Sequence, residues 1–233
     1  MPEGPKPLPL IQCNPCDGSR YYWNENKPSL KYASVTAILS ATQSKETKAV
    51  LARWRNNISK EGGDPDQTLK EAAKRVTDVH RWIEPWLIKR NPAIPKDIAP
   101  WCQHIIEAPI WDFIDYVICT EQSVCSDQGA WPFAGTFDAL FRIGEETILF
   151  DLKTKGSGTK GDPSKSVCHE AMAQMAAYSI GLKENHDIDV HRYIALYVFP
   201  DRPSFPVFVA GDDLAFHIDH WNKRLQQYAE LQS

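Results

Sequence analysis

The stretch GTFDALFRIGEETILFDLK, Gly135–Lys153, decides the fold. Two runs rich in Phe, Ile, Leu and Thr, Gly135–Ile143 and Thr147–Lys153, flank Gly144-Glu145. A glycine followed by a polar residue suits a two-residue turn with positive φ at its first position, so the stretch reads as a β-hairpin. With the turn at Gly144-Glu145, Ile143 faces Glu146, and the same register places Asp138 opposite Asp151. Opposed residues share one face of a sheet, with Cβ atoms roughly 5 Å apart. Lys153 falls on that face by the period of two, while Ile148, Phe150 and Leu152 turn the other way, into a core.

Like charges opposed across strands destabilise a sheet, and burial raises the cost of each. A divalent cation between them turns repulsion into attraction, and oxygen donors suit Mg²⁺ or Mn²⁺. Lys153 beside such an ion can steer or deprotonate a water, or balance charge on a transferring phosphoryl group. The alternative is a surface hairpin whose acids are simply hydrated. The second aspartate in register weighs against it, and so does the segment that follows.

That segment, Ser164–Glu184 (SKSVCHEAMAQMAAYSIGLKE), carries Ala171, Met172, Met175, Ala176, Ser179 and Ile180 at helical spacing. Gln174 and Tyr178 are four apart and stack on one helix face, where an amide and a phenol can grip a phosphate or stack on a base. A helical tyrosine is also an ordinary core residue. The connector Thr154–Lys165 (TKGSGTKGDPSK) reads both as a flexible link and as a place where Thr154, Lys155 and backbone amides meet a phosphate backbone.

GTFDAL, LFDLKTK and QMAAYSIG, in that order, resemble the RecB-like branch of the PD-(D/E)XK nuclease superfamily, nearest the mitochondrial genome maintenance exonucleases and their phage and bacterial relatives. Upstream, SVTAILSAT at Ser34–Thr42 and RVTDVHRWIE at Arg75–Glu84 match as well, so the likeness runs from about Tyr21 to beyond Tyr178. Any one motif alone is weak, whereas the ordered set is specific. The resemblance implies a restriction-endonuclease-like α/β fold: a mixed central sheet flanked by helices, with an N-terminal helical part over the site. It implies that Asp138, Asp151, the Leu152 carbonyl and His80 bind Mg²⁺ or Mn²⁺, and that Lys153 orients the attacking water. It implies single-stranded DNA ends as substrate, passing Gln174 and Tyr178. Glu121 matches a frequent acidic position of the family, and is read equally as support for the metal or as a strand-edge charge. Glu84, one helical turn from His80, can reach the site through a water. One departure is Val76-Thr77, where the family has Gly-Thr ahead of the histidine.

At 233 residues, 42% hydrophobic and 24% charged, the chain has the makeup of one ordinary globular domain. The expected division is an extended arm over 1–19 and a single nuclease domain over 20–233, mostly helical to 120 and with the catalytic sheet from 121. A net charge of −4 advertises no general affinity for nucleic acid, although a local groove can still bind DNA. Six scattered cysteines fit a reduced compartment rather than a disulfide scaffold. Cys13-x-x-Cys16 has metal-ligand spacing but no second pair, and no cysteine follows Cys168 to hold the iron–sulfur cluster of some relatives. No apolar run is long enough to span a membrane, and neither a secretory core nor an arginine-rich presequence is visible at the N-terminus. The reading is an intracellular, cytoplasmic protein of bacterial or phage type with no obligate protein partner in evidence, mitochondrial only if a presequence is missing. A sequence-specific or structure-selective endonuclease, and a non-catalytic DNA-binding module of the same fold, are the rival readings.

In order, the remaining expectations are a short hairpin over Arg20–Lys31 and a helix from Val35 capped by Ser34. Helices are expected over Lys45–Ile58, over Gln67–Arg90 with Pro85 kinking it, and over Trp101–Cys119 after a loop at Asn91–Pro100. Strands are expected from Glu121, at Tyr193–Phe199 and at Pro206–Ala210, followed by a helix Asp212–Leu231 capped by Asp212 or Asp213. Most tryptophans, Trp54, Trp82 and Trp221 among them, are expected in the core.

Overall fold

The computed structural model describes residues 5–13, 20–157 and 168–233. At its centre Phe133–Ile143 (β5) and Glu146–Thr154 (β6) pair antiparallel, from Ile143 opposite Glu146 to Ala139 opposite Phe150, in the register read from the sequence. Gly144 carries the turn at φ +55°, a left-handed conformation that costs glycine little. Its N–H donates to the Asp115 carboxylate at 2.7 Å, and Arg142 donates to the Gly144 carbonyl and to Thr147 Oγ1.

Around this hairpin stand Leu10–Cys13 (β1), Tyr21–Asn24 (β2), Lys31–Ser34 (β3), Tyr116–Ser126 (β4), Arg192–Val198 (β7) and Phe205–Ala210 (β8). Among the described residues they form one mixed sheet in the order β1-β2-β3-β5-β6-β7-β8, with β4 on the other edge of β5. The β3–β5 and β6–β7 pairs are parallel and the others antiparallel. β4 accompanies β5 along its whole length. On the opposite edge β5 changes partner: Phe133 and Ala134 pair with β3, and Ala139–Ile143 pair with β6. Gly135–Asp138 lie between the two ladders, and the sheet splits there.

The helices are Val35–Ala41 (α1), Lys45–Lys60 (α2), Pro65–Leu87 (α3), Ala99–Ile106 (α4), Cys168–His186 (α5) and Asp212–Gln232 (α6). Alternation along β5 and β6 sorts their side chains into two cores. Leu140, Leu149, Tyr193 and Tyr197 pack under α1, α5 and α6, against Val35, Met172 and Trp221. Ala139, Phe141, Ile148, Phe150 and Leu152 pack against Val79 and Trp82 of α3 and Cys102 and Ile105 of α4. The result is a mixed α/β fold with a central mixed sheet flanked by helices, consistent with a restriction-endonuclease-like core. No helix among the described residues is long and apolar enough to cross a membrane.

Several boundaries differ from expectation. The end of the expected Trp101–Cys119 helix is strand instead, because β4 starts at Tyr116. Tyr-Val-Ile-Cys is an aromatic and β-branched run, and pairing with β5 decides its state. The expected Asn91–Pro100 loop holds a short 3-10 turn at Lys96–Ile98 and gives way to α4 at Ala99. α3 starts two residues early on its Asp64 cap and ends at Leu87, two residues past Pro85. α6 follows Gly211 with no side-chain cap from either aspartate. Trp82 and Trp221 are buried, but Trp54 is only half-buried, because α2 has no fully buried residue. Within the expected arm, Leu10–Cys13 adds to the sheet against β2. Most of the Thr154–Lys165 connector lies outside the described residues, as do Cys16 and the first four residues of the expected Ser164–Glu184 helix.

Candidate metal centre and cleft

The site occupies the split in the sheet. One residue past the last β5–β6 pair, the Asp138 carboxylate takes the place of a ladder partner and accepts the Leu152 N–H through Oδ2 at 2.6 Å. Its other oxygen lies 3.2 Å from Nδ1 of His80, which α3 delivers from the opposite layer. Asp151 is 3% exposed. The Lys153 ammonium reaches back along the same strand face, 2.9 Å from Asp151 Oδ1 and 2.7 Å from Oδ2. That ammonium also donates to Gln174 Oε1 at 2.9 Å, and Gln174 Nε2 donates to the Tyr178 hydroxyl at 2.9 Å. The i, i+4 pair on α5 therefore continues a polar chain that starts at Asp151.

Glu121 completes a second group. It sits in β4 at φ +49°, at the position skipped between the Thr120–Ala139 and Gln122–Phe137 pairs. Ligand atoms of His80, Glu121 and Asp138 all lie within 4.8 Å of one another. The strained backbone of Glu121 turns its carboxylate toward the other two.

The electrostatics follow from this crowding. Burial alone would lower the His80 pKa, but the Asp138 carboxylate overrides it, with Asp151 behind, and the imidazole is held protonated up to about 9. Asp138 resists burial through His80, Lys153 and the Leu152 N–H, and stays below the ordinary carboxylate value. Burial pushes Asp151 up to about 6, where Lys153 opposes the shift and Asp138 adds to it. Glu121 is exposed along its stem, but its inward carboxyl end is desolvated and faces Asp138, which raises it to about 7. Three carboxylates are thus balanced by one lysine and one imidazolium. Carboxylate oxygens with an imidazole fit a divalent metal ion, provided His80 gives up its proton.

A cleft of about 600 Å³ opens beside this group. His80, Glu84, Glu121, Gln174 and Tyr178 border it, with Arg20 and Arg81 at its walls and Val76-Thr77 on the α3 side. Asp138, Asp151 and Lys153 lie behind the bordering His80 and Gln174, tied to them by the contacts above. Tyr178 is 3% exposed and belongs to the core, with its hydroxyl edge turned to the site. Thr154 and Lys155 do not border the cleft. The Thr154 hydroxyl is buried without a hydrogen bond, and the Lys155 ammonium lies 5.3 Å from the centre of the Tyr197 ring. Burial and the nearby Lys153 lower the Lys155 pKa.

Two features escaped the sequence reading. Gly135 permits the close seat of Tyr178, since a Cβ there would fall 2.5 Å from Tyr178 Cε1. The glycine of GTFD was the available signal. A hydroxyl chain from Tyr22 through Thr136 to Ser123 also reaches the cleft, assembled from three strands with no local signature.

No protein-family model and no curated protein matches the chain. Among solved structures, the crystal structure of SSO0001 is similar over 87% of this chain and 76% of its own, with 16% identity and a TM-score of 0.46. A Eubacterium rectale protein that carries the name "putative exonuclease" is similar over 87% of this chain and 82% of its own, with 10% identity and a TM-score of 0.42.

Proposed function

We propose that this chain is a metal-dependent nuclease of the RecB-like PD-(D/E)XK type that hydrolyses phosphodiester bonds at single-stranded DNA ends. The observation that carries this reading is the convergence of Asp138, Asp151 and Lys153 with His80 and Glu121 where the sheet splits. A structural role alone gives no reason to gather three carboxylates there, since each buried charge costs stability unless it is paired.

In this reading Asp138, Asp151, His80 and Glu121 hold one or more Mg²⁺ or Mn²⁺ ions. A bound ion polarises the phosphoryl oxygens and lowers the pKa of a coordinated water. Asp151 and Gln174 fix Lys153, so its ammonium is available to orient the attacking water and offset charge on the phosphoryl group. Tyr178 holds the Gln174 amide in the orientation that serves Lys153. Arg20 and Arg81 are the cations on the cleft walls that can meet the phosphates of a strand.

The test is digestion of end-labelled single-stranded oligonucleotides with Mg²⁺, with Mn²⁺ and with chelator, alongside a covalently closed single-stranded circle. Cleavage of the linear strand that needs metal and spares the circle is expected. Cutting of the circle makes the enzyme an endonuclease, and absence of metal-dependent cutting on every substrate overturns the nuclease reading.

A further inference from the structure

On the α5–α6 side of the molecule, three histidines meet away from the cleft. His169 stands in the first turn of α5, and His217 and His220 lie three apart on α6, on one helix face. The His169 ring centre is 6.1 Å from that of His217 and 6.2 Å from that of His220. His217 is 7% exposed, and its Nδ1 is buried with no hydrogen-bond partner. A buried imidazole nitrogen left unpaired costs stability unless something binds it. The neighbouring carboxylate of Glu170 is engaged by Arg224 at 2.8 Å, which pins the two helices to each other beside the cluster.

We propose that His169, His217 and His220 form a second metal site, for a borderline transition ion such as Zn²⁺, that ties the start of α5 to α6. Imidazole donors suit Zn²⁺, Ni²⁺ or Cu²⁺, whereas Mg²⁺ and Ca²⁺ prefer oxygen, so this site and the cleft select different ions. Zn–N distances of about 2.0–2.1 Å put the ring centres of tetrahedral ligands roughly 5 Å apart. The observed separations are wider, and the ligand atoms of the three do not yet lie within 4.8 Å of one another, so the exposed His169 and the half-buried His220 must turn inward around the ion. The ligand form is neutral imidazole, and His217 and His220 are kept toward it first by burial. Water fills the remaining position. Gln174 and Tyr178 are carried by the same helix, so an ion here fixes the base of the element that positions them. The inference does not depend on the nuclease reading.

The test uses the full chain, stripped with chelator, in a background where His80→Ala and Asp138→Asn disable metal binding at the cleft. Zn²⁺ is added during thermal unfolding, and Co²⁺ is titrated while its visible absorption is followed. One equivalent of Co²⁺ with a low-symmetry spectrum is expected. At a hundredfold excess over Kd, Zn²⁺ should raise the midpoint by roughly 5 °C or more. His169→Gln, an exposed substitution, should unfold at the background temperature without metal and lose both responses, and His220→Gln should do the same. Absence of a response in the background, or a response that survives His169→Gln, overturns the proposal.

Discussion

At the turn end of the β5–β6 hairpin, consecutive pairs from Ile143–Glu146 to Ala139–Phe150 satisfy the backbone, and Asp115 and Arg142 close the loop over Gly144. At the open end the ladder stops, a carboxylate replaces a backbone acceptor, and three acids crowd around Lys153 and His80. The same two strands thus do opposite things within a few residues. The turn end uses its named polar contacts to hold the fold. The open end keeps buried charges that hold each other in place, and only Asp138 among them also satisfies a strand N–H. A site that keeps like charges together is set up to accept a cation, and the ordered ladder next to it supplies the rigidity.

Substitutions should separate the two ends. At the open end, Lys153→Ala should lower cleavage of single-stranded ends by about a thousandfold or more in a single-turnover assay. The fold should survive, because Asp151, already shifted up to about 6, can take up a proton once its partner is gone. Activity within a few-fold of the unaltered chain would remove Lys153 from the chemistry.

A smaller loss, about tenfold, is expected for Tyr178→Phe. It leaves the ring against Gly135 but strips the hydroxyl that accepts from Gln174. The freed amide borders the cleft, where water can replace the hydroxyl, so it should loosen its grip on Lys153 with little change in unfolding temperature. Equal kinetics for the two proteins would make Tyr178 a packing residue alone.

Alkali should weaken the metal-free open end and leave the turn end untouched. His80 has a folded pKa raised above its ordinary value, so its contribution is complete below about 6.5 and is lost as pH rises through about 9. Asp151 and Glu121 are also raised, to about 6 and about 7, so they too favour the fold less as they ionise. Asp138 is lowered, and its contribution is lost only on acidification. The unfolding temperature of chelator-treated protein should therefore fall by several degrees between pH 6 and about pH 9, and Mn²⁺ should flatten that slope. A profile that is flat without metal would contradict the charge arrangement.

The mildest change belongs to the turn. Gly144→Ala places a Cβ on a residue at φ +55° and should cost about 1 kcal/mol in urea unfolding, with cleavage per folded molecule unchanged. A loss of activity there would mean that the two ends are coupled.

Much of the open end was legible locally. A hairpin register is a property of a few adjacent residues, and the observed ladder from Ile143–Glu146 to Ala139–Phe150 follows it; Asp151 and Lys153, two apart on one strand, share a face by the same local rule. Helical spacing likewise stacks Gln174 on Tyr178. The Tyr116–Cys119 strand was missed because an edge pairing decided its state. Glu121 was left between two roles because its left-handed backbone exists only once β4 lies on β5. Trp54 was misjudged because amphipathic spacing shows that a helix has an apolar side, not that anything covers it.

By itself the sequence determined the hairpin, its turn, and which side chains share each of its faces, because periods of two and 3.6 are set by local backbone geometry. Only the tertiary structure decided that β5 changes partner at Gly135–Asp138, that α3 brings His80 across to Asp138, and that three histidines from two helices meet. Those contacts join segments far apart in the chain, and long-range packing, which no local pattern encodes, selects them.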